Sequence, residues 1–163
     1  MDRLELVRKE IDCILMHQPD EQIRRHGFIH LYGVSHNCAL LALKRGLNIE
    51  LCAIIGLLHD IYTYKYGYVK NHAALGVEEA EDLLLKSEMF SVSEIQIVKN
   101  AIAYHSDKKN KHDKYCEMIK DADLLQNTLY NSMTEIKHPK RLKKLFKSLG
   151  VRIKLRKYMR KQD

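Results

Sequence analysis

Apolar residues return every three or four positions along most of this chain, and nowhere do they alternate with polar ones long enough for a β-strand. Leu4, Val7, Ile11, Ile14 and Leu15 set the pattern for a helix over 3–16. Val34, Cys38, Leu41 and Ala42 continue it over 29–45, and Gly46 ends it. Residues 49–60 are almost wholly apolar, which predicts a helix buried on every side. Leu75, Val77, Ala80, Leu83 and Leu84 predict a helix over 72–86. Ser91 and Glu94 form a capping box for one over 92–104, and Asp113 caps one over 114–131. Leu142, Leu145, Phe146 and Leu149 share one face of a helix over 140–149. This is the pattern of an all-α bundle.

At 163 residues the chain is long enough for one domain with a real core. Its longest apolar run, Leu51–Leu58, is far too short to cross a bilayer. The opening MDRLELVRKEID is charged throughout and has no signal-peptide core, so the expected location is cytoplasmic. Cys13, Cys38, Cys52 and Cys116 are widely spaced and include no CxxC pair, so they read as reduced thiols packed in helices. The charge is lopsided. Residues 137–163 carry twelve Lys/Arg against one acid, so with +7 overall the first 136 residues are net −4. The division expected is a helical body over 1–136 and a basic helix and tail over 137–163. The first half of that tail reads as an amphipathic helix packed on the body with a solvated lysine face, and the part after Gly150 as mobile. A nucleic-acid contact through the tail is the weaker reading, because it offers Phe146 and Tyr158 as its aromatics and no recognised motif. An anionic membrane surface is another.

Nine histidines are many for this length, and several fall at helix ends. His30 stands where the second helix is expected to start, and His59-Asp60 where the third ends. His72 opens the fourth, His105 closes the fifth, and Asp121 and Asp123 lie inside the sixth in MIKDADLLQ. Five helices thus each offer an imidazole or a carboxylate, and bundles build metal sites from such groups. A mixed His/Asp set suits Fe, Mn, Zn, Co or Ni. A carboxylate beside Ala122, Leu124 and Leu125 is half-buried and needs a partner, either a metal ion or an arginine. His36 lies about 240° round the helix from His30 and reads as a non-ligand. His17, His26, His112 and His138 read as surface residues; Arg24 and Arg25 could reach phosphate, with a solvated helix start the plainer reading.

The segments HLYGVSHNCALLALKRGL, IIGLLHDI and KDADLLQ together resemble the HD-domain superfamily of metal-dependent phosphohydrolases. The match covers residues 30–126, with His59 twenty-nine positions after His30. HAALGVEEAEDLL from His72 and AIAYHSDK around His105 are similar to the extra histidines of the binuclear branches, among them the bacterial symmetric diadenosine-tetraphosphate hydrolases. The resemblance implies a single-domain orthogonal helix bundle of HD type. It also implies six ligands for one or two divalent transition-metal ions. His30, His59, Asp60 and Asp123 would hold one ion, and His72, His105 and a bridging Asp60 the other, which makes Asp60 the catalytic carboxylate.

Two divalent ions against two carboxylates would leave such a site at net +2, attractive to phosphate and able to turn water into a nucleophilic hydroxide. The function expected is cleavage of a phosphate ester or anhydride, with a small phosphorylated molecule, a nucleotide, as substrate. In TYKYGYVKN, expected to be a loop that walls the cleft, Lys65 and Lys70 are the candidate phosphate ligands, and Tyr64 or a neighbouring tyrosine the candidate base or hydroxyl contact. Two departures from the family pattern bear on the substrate. The glycine-lysine pair that follows His-Asp in many relatives is Tyr62-Thr63 here, and the last aspartate is followed by LLQNTLYN. The alternatives are an HD-fold di-iron oxygenase and a non-catalytic regulatory module that binds metal or nucleotide.

Overall fold

The helix whose sequence is apolar all round lies at the centre of the fold. In the computed structural model, which describes residues 2–130 and 136–152, this is α3 (Ile49–Leu58), with every side chain from Leu51 to Leu58 buried. Before it come α1 (Arg3–Met16) and α2 (Glu21–Arg45). After it come α4 (Ile61–Tyr66), α5 (His72–Ser87), α6 (Val92–Tyr104), α7 (Lys114–Tyr130) and α8 (Pro139–Ser148). The described residues contain no strand. Helices α1, α2, α6 and α7 all pack against α3, α5 packs on α6, and α8 rests on α7. The resulting core runs from Val7 and Ile11 through Leu57 and Ile102 to Leu142.

The pairing of α2 with α3 is the most extensive, and it brings main chain against main chain. A Cβ added at Gly56 would lie 2.6 Å from Ser35 Cα, so only glycine allows this approach. At the same seam the Ser35 hydroxyl donates to the Ala53 carbonyl at 2.9 Å, which satisfies a buried polar group.

Local signals set most helix ends. Gly46 closes α2 in the left-handed region at φ 63°. Ser91 and Glu94 form the capping box of α6. The Asp113 carboxylate accepts the Tyr115 and Cys116 amides at 2.8 and 3.0 Å at the start of α7.

Two elements differ from the sequence expectation. Helix α2 begins at Glu21 rather than near residue 29, because Asp20 caps the Gln22 and Ile23 amides. Its first turns face solvent, so they carry no apolar period. His30 consequently sits in mid-helix, not at a helix start. The stretch after Asp60, expected to be loop, is the short helix α4, with Ile61 and Tyr64 buried and Gly67 ending it at φ 98°.

Leu142, Leu145 and Phe146 bury the apolar face of α8, while Lys140, Lys143, Lys144 and Lys147 are exposed. The tail from residue 153 onward, expected to be mobile, lies outside the described residues. All four cysteines are free thiols, three of them buried and Cys13 exposed. No helix among the described residues is long and apolar enough to cross a membrane.

Candidate metal centre

The apolar helix α3 stops where the chain turns into α4, and Asp60 lies at that corner. Asp60 has φ −118° and ψ 21°, outside helical geometry, while His59 still continues α3. His30 comes from the middle of α2, His72 from the first residue of α5 and His105 from the C-cap of α6. Four elements thereby bring four imidazoles around one carboxylate.

The distances define two overlapping triads. Asp60 Oδ2 lies 3.3 Å from His59 Nε2 and 3.6 Å from His30 Nε2. Asp60 Oδ1 lies 3.2 Å from His105 Nε2 and 3.5 Å from His72 Nε2. The ligand atoms of His30, His59 and Asp60 lie within 4.8 Å of one another, as do those of Asp60, His72 and His105. Each oxygen of Asp60 thus faces its own pair of imidazoles.

The far side of these rings settles which nitrogen carries the proton. Nδ1 of His59, His72 and His105 meets the carbonyls of Gly56, Val69 and Ile102 at 2.8, 3.0 and 2.7 Å. A carbonyl only accepts, so each Nδ1 donates, and Nε2 is the nitrogen that each ring turns to the centre, free as a lone pair for a cation when it carries no proton. The Nε2 atoms of His30 and His59 approach to 3.2 Å. Asp60 Oδ1 is buried and has no hydrogen-bond partner. Converging lone pairs around an orphaned carboxylate oxygen are the donor set that a cation satisfies. Burial pushes the Asp60 carboxyl up, but with protons in place of a cation the His59 charge and the Nε2–H groups of His105 and His30 outweigh it and hold the group well below the usual carboxylate range.

Asp123 approaches from α7 and belongs to neither triad. Its Oδ1 lies 3.6 Å from His30 Nε2 and accepts from Asn127 Nδ2 at 2.6 Å. Its Oδ2 accepts from Lys108 Nζ at 2.6 Å. Burial raises this carboxyl too, and Lys108 with the nearby imidazoles brings it below the ordinary value. The partner question raised for this helix divides between two residues. Asp121 takes arginines, with Arg141 Nε at 2.6 Å and Arg45 on its other oxygen, and Asp123 faces the histidines.

A cavity of about 950 Å³ opens onto the centre. Arg25, Tyr64, Tyr68, Lys108 and Lys137 are among the residues that line it. Tyr64 is there as expected, but it is buried and its hydroxyl is engaged with His26 Nδ1 at 2.8 Å. Lys65 and Lys70 are not. Lys65 is ion-paired with Glu79 at 2.6 Å, and Lys70 is exposed in the turn before α5. Tyr62 and Tyr66 pack on each other, with ring centroids 4.9 Å apart.

Arg25 and His26 are exposed, as the sequence suggested, and both line the cavity, where His26 was not expected to take part; Lys108 is the lining cation that sequence reasoning missed. His26 stacks on His30 with centroids 5.6 Å apart, because α2 extends back past both. The signal was the i, i+4 spacing of the two histidines, which puts them on one helix face. Lys108 follows His105 by three residues, and the loop that carries it is fastened by a lysine of α7. Lys120 is fully buried, and its ammonium donates to Asn110 O, His112 Nδ1 and Glu117 Oε1 at 2.9, 2.7 and 2.8 Å. Three donors meet three acceptors. His112, expected at the surface, is therefore a half-buried anchor. His17, His36 and His138 are exposed.

The family model of the HD domain matches residues 27–128, well over half of the chain. The protein therefore belongs to the HD domain family, a family generally of metal-dependent phosphohydrolases. Searches of curated proteins and of solved structures found no match.

Proposed function

We propose that this chain is a phosphohydrolase of the binuclear kind within the HD family. Its substrate would be a small phosphate ester or anhydride, with a nucleotide as the class the cleft fits best. The observation that carries the reading is Asp60, whose two oxygens each face two histidine nitrogens while Oδ1 has no other partner. His30, His59, Asp60 and Asp123 would hold one divalent cation, and Asp60, His72 and His105 the second. A mixed nitrogen and oxygen set of this kind suits Fe, Mn, Zn, Co or Ni.

When bound, such cations supply positive charge for the phosphoryl oxygens and bring the pKa of a water into the neutral range. The chain itself supplies position. The carbonyls of Gly56, Val69 and Ile102 fix three imidazoles in the tautomer and orientation a cation requires. Asp60 stands at a helix corner where its carboxylate reaches both sides. Arg25 and Lys137, at the cavity wall, provide charge for phosphates away from the reacting one. Tyr68 also lines the cavity, with its ring 5.1 Å from that of His72, and offers a face on which a base can stack.

The test is phosphate release from a panel of nucleoside phosphates and dinucleoside polyphosphates by protein reconstituted with Mn²⁺, Fe²⁺ or Co²⁺. The expected result is hydrolysis of at least one class, reduced about a thousandfold or more in Asp60→Asn. Absence of phosphate release from every ester and anhydride by the loaded protein would overturn the reading.

A further inference from the structure

The ion pair of Lys108 with Asp123 joins a cavity-lining cation to a carboxylate beside the imidazole centre. Lys108 Nζ donates to Asp123 Oδ2 at 2.6 Å and reaches the His105 carbonyl at 3.3 Å. The other carboxylate oxygen of Asp123 lies 3.6 Å from His30 Nε2. The Lys108 side chain is 12% exposed, and the residue lines the cavity together with His30 and Asp60. One ammonium thus neutralises one of the two carboxylates that face the histidines.

Charge decides what happens when that carboxylate is claimed by something else. A divalent cation on Asp123 and His30 would put two like charges close together in a partly desolvated cavity, where repulsion is weakly screened. Lys108 would then need a new anion. Its main chain cannot follow, because the loop is pinned on both sides. Asp107 accepts the Lys109 and Asn110 amides at 3.3 and 3.2 Å, and buried Lys120 holds Asn110 and His112. The four-carbon side chain of Lys108 is the part that can turn, and the space before it is the cavity. Lys65, the lysine the sequence pointed to, is held by Glu79 outside the cavity.

We propose that Lys108 is the side chain that binds the reacting phosphate in this cleft, held on Asp123 until a divalent cation takes that carboxylate and then turned to that phosphate. The inference rests on the phosphohydrolase reading above. It makes Lys108 a competitor of the metal and a partner of the anion, and these two roles move in opposite directions when the charge is removed.

The experiment titrates Mn²⁺, followed by the electron-paramagnetic-resonance signal of the free ion, and then inorganic phosphate by calorimetry on the Mn²⁺-loaded protein. Wild type is compared with Lys108→Met, Lys108→Gln and Lys108→Arg. Lys108→Met and Lys108→Gln should bind Mn²⁺ about threefold or more tighter and phosphate about tenfold or more weaker, and Lys108→Arg should recover phosphate binding. Lys108→Gln keeps a hydrogen-bond donor near Asp123, so loss of packing alone does not produce its phenotype. Weaker Mn²⁺ binding in both neutral variants, or unchanged phosphate affinity in a variant that still takes up Mn²⁺, would overturn the proposal and leave the metal centre standing. A wild type that takes up no Mn²⁺ would overturn both readings together.

Discussion

Replacing Gly56 by alanine tests the seam on which the centre is built. The new Cβ would lie 2.6 Å from Ser35 Cα and 2.8 Å from Ser35 N, where ordinary contact begins at 3.4 Å. Both obstacles are main chain, so neither can rotate aside, and α2 and α3 must part by about 0.8 Å. Overpacking of this kind costs about 1–3 kcal/mol, and a main-chain obstacle belongs at the upper end. Alanine regains about 1 kcal/mol of helix propensity, which leaves a net loss of about 2 kcal/mol. For a chain of this size that lowers the melting temperature by about 4–8 °C. Urea unfolding measures it, with a lower midpoint and an unchanged m-value. The same seam sets the 3.2 Å approach of the His30 and His59 nitrogens, so Mn²⁺ affinity should fall with stability. A variant within about 0.5 kcal/mol of wild type would refute the close approach of the two helices.

Lys120→Met removes the buried ammonium from Asn110, His112 and Glu117, and should cost about 3 kcal/mol and speed amide exchange over residues 106–113. A loss below about 1 kcal/mol would mean that the loop is held by something else. Acid should weaken the fold in part through Glu94, whose carboxyl the Ser91 amide and then Arg3 hold below the usual glutamate value of 4.5. A depressed folded value means that this stabilisation is present above the unfolded value and is lost as pH falls through the folded one. Glu94→Gln should therefore flatten the dependence of the urea midpoint on pH between about 3 and 5, and an unchanged slope would refute the assignment.

Most of the fold was legible because its helices carry their own signals. The apolar residues of α3, the capping box of α6 and the terminating Gly46 each specify a local conformation without help from distant chain. The first turns of α2 were hidden because their side chains are solvated, and α4 because six residues are too few for a period to show. The histidines that converge on Asp60 could be picked out by type and position. Their tautomers could not, since those depend on main-chain carbonyls whose positions only the fold sets. The cavity cations were the least legible. Lys65 and Lys108 are both lysines a few residues beyond a histidine or aspartate of the centre, and only the fold gives one to Glu79 and the other to Asp123.

Metal content by elemental analysis, on protein purified without chelator and on protein reconstituted with Mn²⁺, tests the central claim most directly. The comparison is with Asp60→Ala, which removes the carboxylate shared by the two triads. The account predicts about two equivalents per chain in the wild type, both lost in the variant. No metal in the wild type after reconstitution, or the same content in Asp60→Ala, would contradict it.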